Sequence, residues 1–299
     1  MKKSVSLLLA ALMLTGALAG CGSNASASDT QAADGADSGV SGAITVISRE
    51  DGSGTRGAFI ELTGVEEKTA DGKKVDNTTA DAEIANKTDV VLTSVAGNEK
   101  AIGYISLGAL NDTVKAVKVD GAEATVDNVK AGAYKLSRPF NIATKGEPTG
   151  VAKDFISFIL SKEGQAVVTD NKYIAVNDAA ESFVSDGSSG QIAVGGSSSV
   201  SPVMEKLIEA YKSVNPNASI DLQTSDSTSG MTGAMDGTFA IGMASRELKD
   251  EEAAQLTGTA IALDGIAVIV NPANTIDELS MDQIKSIYVG DITDWGDLA

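Results

Sequence analysis

The sequence predicts an α/β fold on two observations. Short β-branched runs alternate with stretches of helical spacing, and Ser/Gly-rich turns stand where strands give way to helices. Strands are expected at Ile44–Ile47, Val90–Thr93, Ile102–Ile105, Val114–Val119, Ile192–Val194, Ser219–Leu222, Phe239–Met243 and Ile266–Val270. Helices are expected at Thr55–Leu62, Gly150–Leu160, Val203–Ser213 and Met281–Val289. Within Val203–Ser213, Met204, Leu207, Ile208 and Tyr211 recur at helical spacing and form one apolar face for packing on a sheet. Glu181–Gly190 is polar and Gly/Ser-rich, which marks a surface connection.

The N-terminus sets the compartment. Lys2 and Lys3 precede an apolar run from Val5 to Leu14 and then small residues, the pattern of a secretory signal over residues 1–20. The run is too short to span a bilayer. Leu18-Ala19-Gly20-Cys21 resembles the lipobox of bacterial lipoproteins, which makes Cys21 the expected lipidation site. It is the only cysteine in the chain, so no disulfide can form within one molecule. Residues 21–41 offer little apolar surface to offset the entropy of ordering, and a flexible tether is expected there. Together these features predict a protein anchored by lipid on the extracytoplasmic face of the cell membrane. Roughly 260 residues follow, room for one large domain or two modest lobes.

Charge and composition exclude several classes. The formal net charge is −18, and removal of residues 1–20 takes away two lysines and no acid, leaving −20. Nucleic-acid binding calls for basic stripes, and broad adhesion to an anionic membrane surface calls for the opposite sign. Histidine is absent. That removes Ser-His-Asp and Cys-His chemistry and the commonest zinc ligand, so neither an enzyme nor a metal or cofactor site is expected.

Three short segments suit an anion. In Ser48-Arg49-Glu50-Asp51-Gly52-Ser53-Gly54-Thr55-Arg56, glycines let backbone N–H groups converge ahead of a helix. Ser53 and Thr55 add hydroxyl donors, and Arg49 adds a cationic fork. The Walker pattern is missing, so nucleotide binding is not expected. Gly195-Gly196-Ser197-Ser198-Ser199-Val200-Ser201-Pro202 is a second strand-to-helix turn, with Pro202 suited to the first helical turn and serines able to cap it. Asp226-Ser227-Thr228-Ser229-Gly230 is the third, followed later by Ser245-Arg246-Glu247. Each alone is compatible with ordinary capping. Three such turns with arginines nearby favour an anion site.

These motifs resemble the phosphate-binding proteins of the phosphate-specific ABC transporter, and the resemblance covers residues 42–299. Ser137-Arg138-Pro139, Ile266–Asn271, Ile287-Tyr288-Val289-Gly290 and Thr293-Asp294-Trp295 are further landmarks. The resemblance implies a two-lobed, periplasmic-binding-protein-like Venus flytrap with phosphate in the interlobe cleft. Its partners would be inorganic phosphate and the permease subunits, and the protein would act as a monomer. Carried over residue by residue, Arg49, Ser53, Gly54 and Thr55 hold phosphate from one lobe, and Ser198, Ser199, Thr228 and Ser229 from the other. Arg246 is a candidate second fork, and Asp51 is expected to hold the site arginine in place. The motif order differs from the family's, as in a circular permutation that joins Ala299 to Gly42. One lobe is then expected at 42–108 plus 272–299, the other at 109–271.

The resemblance departs at one position. The acid that takes the proton of hydrogen phosphate in many relatives corresponds to Arg246, and arginine only donates. Asp226, Glu247 and Asp264 are alternative acceptors, with Asp226 and Glu247 favoured because they flank the second-lobe loops. Sulfate, molybdate or tungstate binding, or phosphate sensing on the same fold, are the alternative functions. A Ser-based hydrolase lacks a nearby base.

Overall fold

The computed structural model describes residues 40–298. The expected signal, Cys21 and nearly all of the tether lie outside the described residues.

A nine-stranded mixed sheet runs through the molecule. Along its main path the order is Ala218–Ser225, Gly190–Ser197, Ile241–Ala244, Ser137–Thr144, Thr257–Val270, Ala101–Ser106, Thr45–Arg49 and Glu83–Ala85. Strands at the two ends pair in parallel, as strand–helix–strand units require. The central pairs are antiparallel. The 14-residue strand Thr257–Val270 is the common element. Its first part pairs with Ser137–Thr144 and its last five residues with Ala101–Ser106.

Two large apolar cores flank this crossing. One gathers Phe59, Val91, Ile102, Tyr104, Val117, Tyr134, Leu136, Ile266–Val270, Tyr288 and Trp295. The other gathers Phe140, Phe155, Phe158, Val194, Met204, Leu207, Tyr211, Ile241 and Ile261. The division therefore differs from the expected boundaries. Residues between Val114 and Leu136, and Ile266–Val270, pack in the first core rather than the second. The cause is the length of the two crossing strands: the chain changes cores inside them, near Ser137 and Asp264, not in the loops outside them.

Val90–Thr93 is helical, inside Thr88–Ala96, because a short apolar run carries too little periodicity to tell strand from helix. The strand Ser137–Thr144 and the helix Lys162–Asp170 are additional to the expected elements. Helices Gly150–Leu160 and Met281–Val289 have the expected bounds. The two ends of the described chain lie side by side. Ile44 N–H donates to Thr293 O at 2.8 Å, and Trp295 N–H to Gly42 O at 3.1 Å.

Candidate functional site

Arg49 ends a buried strand, and Tyr104 fixes its backbone. The Tyr104 hydroxyl accepts from Arg49 N–H at 3.1 Å, shares a bond with Ser48 Oγ at 2.9 Å, and its ring stacks on Phe59. The Arg49 side chain is then aimed across to the second core. Its Nη2 donates to Ser198 Oγ at 3.0 Å, while Nε and Nη2 hold Glu50 at 2.8 Å each. Nη1 is buried with no hydrogen-bond partner among the described residues.

The Ser53-Gly54-Thr55 turn follows. Ser53 caps its helix, accepting from Arg56 N–H at 3.3 Å. Thr55 Oγ1 shares a 2.8 Å bond with Ser199 Oγ, and Thr88 and Ser245 hydroxyls stand at 3.3 and 3.4 Å from the same pair. Gly54 has no room for a side chain: a Cβ there would lie 2.3 Å from Ser227 Oγ and 2.8 Å from Ser245 Oγ.

The second core supplies the facing wall. Helix Ser201–Val214 carries Pro202 in its first turn, but its N-cap is Val200 and no side chain caps it. Ser198 and Ser199 turn instead toward Arg49 and Thr55, which leaves the first N–H groups of the helix free of side-chain acceptors. Ser197 donates to Ser245 Oγ at 2.9 Å, and Ser245 N–H donates to Ser227 Oγ at 3.0 Å. Thr228 closes the wall through Gly52 O, to which its N–H and hydroxyl each donate at 3.2 Å.

Some expected residues lie elsewhere. Ser229 is exposed, and both its N–H and its hydroxyl donate to Asp226, the N-cap of helix Ser227–Asp236. Asp51 is solvent-exposed and pairs with Arg56 at 3.2 Å, so Glu50 rather than Asp51 holds Arg49. Arg246 has both terminal nitrogens engaged. It grips Glu252 at 2.7 and 2.8 Å, donates to Glu247 O at 2.9 Å, and reaches Thr228 Oγ1 at 3.3 Å. Burial opposes the charge of Glu252, yet these bonds hold its carboxyl below the ordinary value. Asp226 is occupied as a helix cap, and Glu247 is exposed and lines the cleft that Arg138 also lines.

Sequence reasoning misses Ser197, Ser227, Ser245 and Thr88, although the first three sit within or beside the turns it singles out. It also leaves Arg138 without a role. Arg138 and Asp264 are cross-strand partners on the crossing strands, paired at 3.2 Å and almost wholly buried. Among the described residues, all three Arg138 side-chain nitrogens and Asp264 Oδ2 lack a hydrogen bond. Burial pulls Arg138 down to about 10 despite Asp264, and Arg49 adds to the fall. Burial pushes Asp264 up to about 6 against the pull of Arg138. A cleft of about 620 Å³ between the two halves reaches Arg138, and Arg246 and Lys249 also line it.

Two halves thus supply hydroxyls, helix N-termini and the buried Arg49 guanidinium to one place, in a chain whose net charge is −18. Such an arrangement can strip water from a small oxyanion and replace it with fixed donors.

The family model of the PBP superfamily domain matches residues 23–163 and 182–299. The chain is 50% identical to the phosphate-binding protein PstS 2 of Streptococcus agalactiae serotype V over 300 residues, covering 99% of this chain and 98% of that one. It is 49% identical to PstS 2 of Streptococcus pneumoniae serotype 4, covering 99% of each. The crystal structure of a phosphate ABC transporter phosphate-binding protein from S. pneumoniae TIGR4 superposes with a TM-score of 0.69 at 50% identity, over 86% of this chain and all of that one. The chain belongs to the PBP superfamily and, within it, to the family of these phosphate-binding proteins.

Proposed function

We propose that this protein captures inorganic phosphate outside the cytoplasm and delivers it to the permease of an ABC transporter. The observation that carries the reading is Arg49, buried between the two halves, with Nη2 on Ser198 from the other half and Nη1 without a hydrogen-bond partner among the described residues. The relatives named above are phosphate-binding proteins, and their names describe binding rather than a reaction.

In this reading Arg49 and the first-turn donors of Ser53, Gly54 and Thr55 bind phosphate from one half. Ser198, Ser199 and Thr228 bind it from the other. The ligand favours the closed form because both halves touch it, as in hinge closure of binding proteins. A micromolar dissociation constant, about −8 kcal/mol, is within reach of a desolvated dianion with this many donors. The net negative charge does not prevent this, because screening acts over roughly 8 Å whereas the donors act at contact.

Cys21 is the proposed lipid anchor, and no helix among the described residues is long and apolar enough to cross a membrane. Cys21→Ser is expected to release a signal-cleaved, phosphate-competent protein; retention after verified cleavage sinks the anchor. The motif order is proposed to be a circular permutation, supported by the adjacency of Ile44 and Thr293.

Calorimetric titration of residues 22–299 with phosphate, after co-purified ligand is stripped under denaturant and the protein refolded, tests the function. One-to-one binding at micromolar or tighter affinity is expected. Absence of both heat and thermal stabilisation by phosphate overturns it.

A further inference from the structure

Both crossing strands pass from one core to the other at a single short stretch. Strand Thr257–Val270 pairs with Ser137–Thr144 up to Gly265 and with Ala101–Ser106 from Ile266 onward. Beside the switch, Leu263 and Ile174 exchange backbone hydrogen bonds at 2.9 and 3.0 Å. Ser106 ends a strand of the first core, Tyr173 belongs to the second, and Arg138 and Asp264 are partners on the strands between them. A change in the angle between the halves turns on these residues, as hinge motions turn on a few element ends.

The pivot is crowded with polar groups that find no partner. Among the described residues, Arg138 Nε, Nη1 and Nη2, Asp264 Oδ2, Ser106 Oγ and the Tyr173 hydroxyl all lack hydrogen bonds. The Tyr173 ring is wedged against Gly108, where a Cβ would sit 2.2 Å from its Cζ, which leaves it no room on that side. Arg138 and Asp264 do pair, at 3.2 Å, yet burial draws each toward its neutral form, Arg138 down to about 10 and Asp264 up to about 6. A pair whose attraction exceeded its desolvation would shift both the opposite way. In this structure the halves touch, Thr228 donating to Gly52 O through N–H and hydroxyl at 3.2 Å each, so the unmet groups belong to the closed form. Arg138 also lines the cleft of about 620 Å³, with Leu62 on one wall and Leu248 on the other. Opening that cleft admits water to the pivot, and water supplies the missing partners.

Resting on the reading of closure around phosphate, we propose that Arg138, Asp264, Ser106 and Tyr173 form a spring at the pivot that drives the empty protein open. The closed form leaves their donors and acceptors unmet, and the open form hydrates them. Phosphate, held by both halves, offsets the difference while it is bound. The cluster thereby sets how fast the halves part and the anion leaves, without touching the anion. Its effect on affinity is opposite in sign to that of a ligand contact. Removing the cluster tightens binding, because apparent affinity scales with the fraction of protein already closed.

Replacing the cluster and following both shape and binding tests this. In the signal-cleaved Cys21→Ser chain stripped of phosphate, small-angle scattering is expected to give a larger radius of gyration than in the phosphate-saturated chain. Arg138→Met combined with Asp264→Leu should bring the phosphate-free radius to the saturated value, tighten phosphate binding about fivefold and slow its dissociation by a similar factor. Ser106→Ala combined with Tyr173→Phe leaves both charges in place and serves where the first variant does not fold. It should act in the same direction by about twofold. Unchanged affinity and radius in a folded variant reduce the cluster to a strut and overturn the proposal. Weaker binding overturns it too, since the cluster then contacts or orients the anion. So does a native protein equally compact with and without phosphate. If the native protein binds no phosphate, it is the phosphate reading that fails, and the phosphate-free radii of native protein and variant still decide the spring.

Discussion

Two arginines line the cleft in contrasting states. Arg246, toward the surface, has both terminal nitrogens engaged, chiefly by a two-pronged grip on Glu252. Arg138, at the crossing of the strands, pairs with Asp264 at 3.2 Å but has no nitrogen hydrogen-bonded among the described residues, and Arg49 Nη1 likewise lacks a partner there. The first arrangement is complete without a ligand. The second is not, because a buried guanidinium with open donors bears a desolvation cost that only an acceptor offsets. Position in a cleft is therefore a weaker guide to ligand contact than the balance of donors and acceptors at each side chain.

The sharpest way to break the contrast is Arg49→Ala. Loss of one partner of a buried charge-assisted contact is expected to weaken phosphate binding by about 2–5 kcal/mol. Calorimetry reads this directly, and an unchanged affinity in the folded variant removes Arg49 from the site.

The buried Arg138–Asp264 pair should also register in stability without ligand. The Asp264 carboxyl is raised from 3.8 to about 6 in the folded protein, chiefly by burial. A raised carboxyl contributes stability below pH 4 that is lost as pH climbs through about 6. The loss is at most about 3 kcal/mol, set by the interval between the unfolded and folded values. Other carboxylates, Asp154 and Asp294 among them, are held below their ordinary values and act in the opposite direction. The informative quantity is therefore the difference between native protein and Asp264→Asn in urea melts at pH 4, 5, 6 and 7, in phosphate-free buffer. That difference should shift in favour of the variant between pH 4 and 6 and level off above. A difference that stays flat across the series means that Asp264 ionises as freely as an exposed acid.

How much of this is legible in the residues depends on sequence separation. The turn at Ser53-Gly54-Thr55 and that at Ser198-Ser199 announce themselves because strand, glycine, hydroxyl and helix are contiguous. Arg138 and Asp264 meet only through the register of two antiparallel strands, and the strand Ser137–Thr144 is itself absent from the expected set. Ser229 stands out in the sequence where Ser227 does not, yet helix phase, not composition, decides which hydroxyl points inward: Ser227 is buried and Ser229 exposed. Val90–Thr93 reads as a strand for want of length, its apolar run being too short to reveal a period.

The closeness of the two walls gives a smaller test. Gly54 opens its helix against Ser227 and Ser245, and a methyl group there would sit 2.3 Å from one hydroxyl and 2.8 Å from the other. Gly54→Ala is expected to cost about 1–3 kcal/mol in phosphate affinity by holding the halves apart. Alanine also favours the helix by up to about 1 kcal/mol, so the unliganded variant should melt no earlier than the native protein. Equal losses in affinity and melting temperature would point to disrupted folding instead of hindered closure.

The smallest expected effect comes from Arg246, and it separates a strut from a ligand contact. If Arg246 serves the fold, its removal leaves Glu252 buried without its main donors while Lys249 N–H still bonds one oxygen at 2.8 Å. An acceptor stranded in this way costs about 1–2 kcal/mol, read as a lower urea midpoint for Arg246→Ala. Phosphate affinity should move less than threefold, because Arg49, Thr55, Ser198 and Ser199 are untouched and Thr228 keeps its bonds to Gly52 O. Glu252→Gln sharpens the comparison: it removes the charge that engages Arg246 and frees the guanidinium to turn toward the cleft. Under the strut reading Glu252→Gln also lowers the midpoint and leaves affinity near native. If it raises phosphate affinity tenfold while Arg246→Ala lowers it tenfold, Arg246 reaches the anion, and the two arginines differ in degree, not in kind.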